Sequence, residues 1–215
     1  RTKRTPLFLS NNSQKDLDQF VKNYLNYFSK YNQGETCLNP APKMAIWPDR
    51  GIIAFGPSVK AFNVIKDIAA HTVEAISRAE QLGGWKALPQ RDLFEMEYWS
   101  LEQAKLKTAK KSNQMDGKIA LVTGASGGIG QACVESLLVA GAVVAALDIN
   151  PNIKNQYTSE QVIGIQCDIT NTKALKRAIE TIIEQVGGLD MVVSNAGIFP
   201  PSKRIADMDE KIWER

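Results

Sequence analysis

Apolar residues recur at three- and four-residue steps through Leu17, Phe20, Val21, Tyr24, Leu25 and Phe28, the spacing of one buried face of an α-helix. Ser13 is placed to cap that helix, with Asp16 three positions on. Two short apolar runs, 44–47 and 52–55, flank Pro48-Asp49-Arg50-Gly51 and predict a pair of strands joined by a turn. A long helix is predicted over 58–82, where Gly83-Gly84 stops it. A second is predicted over 91–107. The first half of the chain therefore reads as a small α+β region.

The pattern changes near residue 110. Thr108-Ala-Lys-Lys-Ser-Asn-Gln-Met-Asp-Gly117 is polar and ends in a turn signal, which places a boundary there and divides the chain into 1–110 and 111–215. Beyond it, apolar runs rich in β-branched residues at 118–123, 142–148, 162–166 and 189–194 alternate with helical segments over 128–140 and 172–186. Strands and helices in that alternation predict right-handed crossovers and a parallel, doubly wound α/β sheet of Rossmann type. Such runs suit strands covered on both faces. A sheet of this extent, short of a full fold, also leaves a strand edge open to association. No internal repeat is visible.

Composition changes this picture little. Of the 215 residues, 44% are hydrophobic and 23% charged, ordinary values for a globular chain with a real core. The net charge of +3 is small, and basic residues gather only at 1–4 and 105–111. Both runs read as solvated segments, and neither is the clustered stripe that nucleic acid requires. Cys37, Cys133 and Cys167 are an odd number without metal-ligand spacing, so reduced thiols in the cytoplasm are expected. The most apolar stretch, 137–147, is interrupted by Gly141 and falls short of the roughly 20 residues of a membrane-spanning helix. No secretory signal is recognisable. The chain opens on Arg1 without an initiator Met and is expected to be a piece of something longer. His71, alone in the middle of a helix, reads as an ordinary surface or interface histidine, and no metal site is expected.

Candidate chemistry sits in the second half. Thr123-Gly-Ala-Ser-Gly-Gly-Ile-Gly130 follows one predicted strand and opens one predicted helix. Glycines there let the backbone turn sharply and approach a pyrophosphate, and the helix that starts there presents unpaired amides to it. A tight turn alone would also explain the glycines, but the strand–turn–helix context is the one that gives the motif its meaning. Asp148 ends the next strand, 18 residues beyond Gly130. A carboxylate there accepts hydrogen bonds from adenosine ribose hydroxyls and repels a 2′-phosphate. No Arg stands beside it, so NAD is favoured over NADP; a plain strand-end carboxylate is the competing reading.

The spacing of Gly124, Gly128 and Gly130 resembles the short-chain dehydrogenase/reductase family. Cys167-Asp-Ile-Thr170 looks like the family's segment beside the adenine ring. Leu189-Asp-Met-Val-Val-Ser-Asn-Ala-Gly197 is similar to its Asn-Asn-Ala-Gly strand end, with Ser194 in place of the first Asn. The resemblance covers 118–215. It implies that Gly124, Ser126, Gly127, Gly128, Ile129 and Gly130 hold the pyrophosphate of NAD, and that Asp148 and Ile149 meet the ribose. Asp168 and Ile169 would lie around adenine, and Asn195, Ala196 and Gly197 would border the nicotinamide ribose. Two alternatives stay open: Asp168 caps the helix that begins near Thr170, and Asn195 only braces the sheet. The family's catalytic Ser, Tyr-x-x-x-Lys pair and helical Asn lie downstream of the Asn-Ala-Gly segment. Only 18 residues follow Gly197 and no Tyr follows Tyr157. The chain is thus expected to carry no catalytic residue of its own, and Ile212-Trp-Glu-Arg215 looks like the start of the next family helix.

Pro40-Ala-Pro-Lys-Met-Ala-Ile-Trp-Pro-Asp-Arg-Gly51, Phe55-Gly56 and Leu93-Phe-Glu-Met-Glu-Tyr-Trp-Ser-Leu-Glu-Gln-Ala-Lys-Leu106 resemble a class II aldolase domain of rhamnulose-1-phosphate aldolase type. That domain precedes a short-chain dehydrogenase in bifunctional fusions. The match is to the carboxyl-terminal part of the aldolase unit, and a single His excludes the family's zinc site from this segment. Together the resemblances imply an intact parent that exchanges a hydride between NAD and a small alcohol or aldehyde, such as lactaldehyde or a sugar-derived alcohol. They leave room for a homo-oligomer, and imply no nucleic-acid or membrane partner. A non-catalytic NAD-binding or assembly module is the rival reading.

Overall fold

The computed structural model describes residues 5–11, 13–107, 113–198, 202 and 204–207. The basic run at 1–4, the polar stretch 108–112 at the expected boundary, and the expected helix start at 212–215 lie outside them. The chain divides into two compact units, Arg1–Ser112 and Asn113–Arg215.

The first unit runs β1 (Leu7–Phe8), α1 (Ser13–Tyr31), β2 (Met44–Trp47), β3 (Gly51–Ala54), α2 (Val59–Gln81), α3 (Gln90–Glu97) and α4 (Ser100–Lys107). Its sheet has the order β1-β2-β3, with β1 parallel and β3 antiparallel to β2. The expected hairpin is present because Asp49 (φ 60°) and Gly51 (φ 123°) both take the left-handed backbone that reverses the chain. Ser13 is the first residue of α1 rather than a cap outside it. Ahead of it, Asp16 accepts from the Ser10 backbone N–H at 2.6 Å and from its hydroxyl at 3.0 Å. Ser58 caps α2 by accepting from Ala61 N at 3.2 Å.

The helix expected over 91–107 is broken. Tyr98 leaves α3 at φ −111° and ψ 16°, and α4 restarts on the Trp99 carbonyl. A long-range contact at Tyr98 coincides with the break. The Tyr98 ring stacks on Phe94 at 4.4 Å, and its hydroxyl shares a 2.6 Å hydrogen bond with that of Tyr24. Tyr24, Tyr27, Phe94 and Tyr98 form the buried aromatic centre of this unit, ringed by Phe28, Tyr31, Cys37 and Leu38.

The second unit runs β4 (Ile119–Thr123), α5 (Gly128–Val139), β5 (Val143–Asp148), α6 (Ile153–Gln156), β6 (Val162–Gln166), α7 (Thr172–Val186) and β7 (Met191–Val193), followed by a short 3-10 turn at Ile205–Asp207. All four strands are parallel, in the order β6-β5-β4-β7. Side chains alternate along β4 and β5. Val122, Val144 and Ala146 pack with Val134 and Ile153 on one face; Leu121, Ala145 and Leu147 pack with Ala178 and Ile182 on the other. Leu147 and Ile182 are wholly buried, and each such side chain contributes about 1.5–3 kcal/mol. Helix α7 is capped by Asn171 at its start and ended by Gly187 at φ 90°.

Coverage on both faces holds for β4 and β5 but not throughout. Strand β7 is an edge, and Val192 on it is 60% exposed. No helix among the described residues is long and apolar enough to cross a membrane.

Candidate functional site

Thr123 and Leu147 are register partners at the carboxyl ends of β4 and β5. From β4 the sheet continues to β5 on one side and to β7 on the other. A crevice opens at such a switch point in a parallel sheet. Here it is a cleft of about 590 Å³.

The glycine-rich turn lines it, and its four glycines differ in what each position requires. Gly124 has φ +65°, and a Cβ there would come within 2.9 Å of Ala196 Cα. Gly130 lies against the turn itself, where a Cβ would stand 2.1 Å from the Gly124 carbonyl oxygen. Gly128 has nothing within 4 Å of that position, so packing does not require a glycine there. Gly127 precedes α5 without a side-chain cap, which leaves the opening amides and the positive helix end uncovered by any capping side chain.

Asp148 is not an isolated strand-end carboxylate. Its Oδ2 accepts from Ser126 N at 2.9 Å and its Oδ1 from Asn150 N at 2.9 Å, so it ties the turn to the end of β5. Each oxygen keeps a second acceptor site. Behind the turn, the Ser126 hydroxyl donates to Gln156 Oε1 at 2.8 Å and the Tyr157 hydroxyl donates to the Ala125 carbonyl at 2.6 Å. Burial, and then the charges of Glu135 and Asp148, push the Tyr157 phenol up.

Asp168 follows β6. Its Oδ1 accepts from Thr170 N at 2.9 Å and from the Thr170 hydroxyl at 2.7 Å. The side-chain cap of the following helix is Asn171, because that helix starts at Thr172, three residues later than a cap at Asp168 requires. Beside it Cys167 is buried, and that burial, with the Asp168 charge, pushes its thiol up. All three cysteines are free thiols.

Asn195 does brace the sheet. Its side-chain amide donates to the carbonyls of Thr123 at 3.0 Å and Gly124 at 3.2 Å. Thr123 Oγ1 accepts from the backbone N–H of both Asn195 and Ala196, each at 3.0 Å.

Gly124, Ser126, Gly127, Gly128, Ile129 and Gly130 from the turn all line the cleft. So do Asp148 and Ile149 after β5, Asp168 and Ile169 after β6, and Asn195, Ala196 and Gly197 after β7. Sequence reasoning missed Leu147, Asn150, Cys167, Thr170 and Ile198, which line it too; each adjoins a residue already singled out. Ile129 and Ile149 are 74% and 62% exposed, apolar groups at the mouth that suit a flat ring. No lining residue carries a positive charge. Among the described residues no three His, Cys, Asp or Glu are grouped to hold a metal, and His71 lies exposed on α2.

Residues 1–106 match the family model for aldolase class II, second domain, and residues 118–215 match that for short chain dehydrogenase. An uncharacterized oxidoreductase, YuxG, of Bacillus subtilis is 27% identical across 94% of this chain and 32% of its own length. The 15-hydroxyprostaglandin dehydrogenase [NAD(+)] of Rattus norvegicus is 36% identical over 47% of this chain and 38% of its own. Secoisolariciresinol dehydrogenase of Forsythia intermedia is 33% identical over 48% and 39%. The chain spans 32–39% of the length of these relatives.

Proposed function

We propose, from a chain that joins an aldolase class II segment to a short-chain dehydrogenase segment, that the second segment binds NAD for an oxidoreductase. The observation that carries this reading is the pairing of an open wall at Gly128 with the Asp148 carboxylate across one cleft. The first leaves room for a phosphate over the uncapped start of α5. The second supplies acceptors for ribose hydroxyls and rejects a 2′-phosphate, and no cation in the lining offsets that rejection.

In this reading Gly124, Gly127, Gly128, Ile129 and Gly130 hold the pyrophosphate, while Ser126, whose N–H and hydroxyl go to Asp148 and Gln156, shapes the turn beneath it. Asp148 and Ile149 hold the adenosine ribose, Asp168 and Ile169 flank adenine, and Asn195, Ala196 and Gly197 border the nicotinamide ribose. When bound, the dinucleotide accepts or donates a hydride. A relative whose name specifies NAD(+) supports the cofactor choice. For the intact protein we place the substrate among small alcohols and aldehydes, lactaldehyde or a sugar-derived alcohol included. That class would suit a neighbour of aldolase type. Free thiols at Cys37, Cys133 and Cys167 suit a reducing compartment, and we place the protein in the cytoplasm.

Calorimetric titration of NAD and NADP into the chain tests this directly. NAD is expected to bind, and more tightly than NADP. Absence of NAD binding, or a preference for NADP, overturns the reading.

A further inference from the structure

The residues soon after β5 come back to hold the glycine-rich turn, without lining the cleft themselves. Ile153 is 1% exposed, and its carbonyl oxygen occupies the place a Cβ on Gly164 of β6 would take, at 2.2 Å. That fit seats the single turn of α6 tightly on the sheet. From this seat two side chains reach adjacent residues of the turn: Gln156 accepts the Ser126 hydroxyl, and Tyr157 donates to the Ala125 carbonyl. Ser126 is the same residue whose backbone N–H meets Asp148.

We propose that Gln156 and Tyr157 are positioning residues for nucleotide binding, acting through Ser126 and Ala125 to hold the turn and the Asp148 carboxylate in register. The proposal rests on the NAD reading above. Neither residue lines the cleft, so each acts without touching the ligand. The Ser126 hydroxyl is directed at Gln156, and the turn peptide is thereby fixed at both its N–H and its side chain. Tyr157 fixes the neighbouring carbonyl, and its raised phenol keeps its proton and remains a donor through neutral and mildly alkaline pH. A turn held in this way loses little freedom when a ligand arrives, which is the condition for tight binding. Released, the turn would leave Asp148 without a fixed N–H on one oxygen, and the contrast between ribose hydroxyls and a 2′-phosphate would blur.

Calorimetry on the full chain with NAD and with NADP tests this in Gln156→Ala, Gln156→Glu and Tyr157→Phe, alongside thermal melts. One lost hydrogen bond predicts that Gln156→Ala and Tyr157→Phe each weaken NAD about threefold to tenfold and narrow its advantage over NADP. Gln156→Glu keeps an acceptor oxygen for Ser126 and is expected to restore both NAD affinity and its advantage over NADP. Unchanged NAD affinity in both loss variants overturns the proposal. So does a loss in all three that follows the melting temperature, which marks a merely structural role. A wild-type chain that binds neither nucleotide instead overturns the NAD reading on which the proposal rests.

Discussion

Asn195 and Thr123 are joined twice: the Asn195 backbone N–H donates to Thr123 Oγ1, and its side-chain amide donates to the Thr123 carbonyl, both at 3.0 Å. The hydroxyl of Thr123 also takes the N–H of Ala196. Thr123→Val is therefore expected to strand two backbone donors, those of Asn195 and Ala196 just after β7. The cost is about 1–3 kcal/mol, read as a lower denaturation midpoint, while Thr123→Ser retains most of the stability. Equal stability of the valine and serine variants would show that water replaces the hydroxyl.

The glycines of the turn should separate in experiment. Gly128→Val places its side chain in open space, so the chain is expected to fold with a near-native melting curve and to lose NAD binding. Gly130→Ala meets the Gly124 carbonyl oxygen, which cannot give way without moving the turn. It should cost about 1–3 kcal/mol by overpacking. If Gly128→Val binds NAD normally, the proposed path of the pyrophosphate is wrong.

Asp148 has a structural and a ligand-facing role, and two substitutions divide them. Asp148→Asn retains one acceptor oxygen but no charge, so NADP should gain on NAD while stability falls only slightly. Asp148→Ala also releases Ser126 N and Asn150 N and should lower both stability and NAD affinity. An unaltered ratio of NADP to NAD affinity in both would refute the role given to the charge.

Acid should loosen the pairing of β4 with β7. Asp190 accepts from Ile119 N at 2.9 Å and from Lys118 Nζ at 3.1 Å, and the Ile119 hydrogen bond, then Lys118, hold its carboxyl below the ordinary 3.8. A depressed carboxyl contributes stability that is present above its ordinary value and lost as pH falls through the folded one. Stability is therefore expected to decline below about pH 4, with a flatter acid limb in Asp190→Asn; identical acid limbs would exclude this group as a source.

Alkali should act on the other unit. Burial, above all, raises the phenols of Tyr24 and Tyr98. Raised groups of this kind contribute stability that is full below their ordinary pKa and lost as pH rises through the folded one. The first unit is expected to weaken above about pH 10, and Tyr24→Phe should make that loss shallower; an identical alkaline limb in the variant would exclude Tyr24 as a source. Peptide-level hydrogen exchange between pH 8 and 11 resolves the two units.

Much of the second unit was legible because its signals are local. β-branched runs, the glycine turn and the amphipathic stretch of α7 each carry their pattern within a few residues, and helix 172–186 appears at the expected bounds. The misses depend on distant contacts. Leu7–Phe8 is a strand only because Ala45 and Ile46 lie beside it. The break at Tyr98 coincides with a hydrogen bond to an aromatic partner 74 residues away. In the cleft, the strap of Gln156 and Tyr157 crosses about 30 residues to reach Ser126 and Ala125, and no periodicity announces such a pair. The capping alternative left open for Asp168 falls to Asn171, since Asp168 and Asn171, three residues apart, are both of capping type and local sequence does not say which one the helix starts on.

The position of β4 between β5 and β7 implies an order of assembly. Pairing Ile119 with Val143 closes a loop of 24 residues, whereas pairing Ala120 with Met191 closes one of 71. The longer closure costs about 1 kcal/mol more in chain entropy, and β7 brings only three short-strand partners in return. Strand β7 should therefore dock late, after β4, β5 and the turn between them have formed. Asn195 would then latch onto Thr123 as one of the last events of folding, so the far wall of the cleft is also the first part to open when the chain begins to unfold.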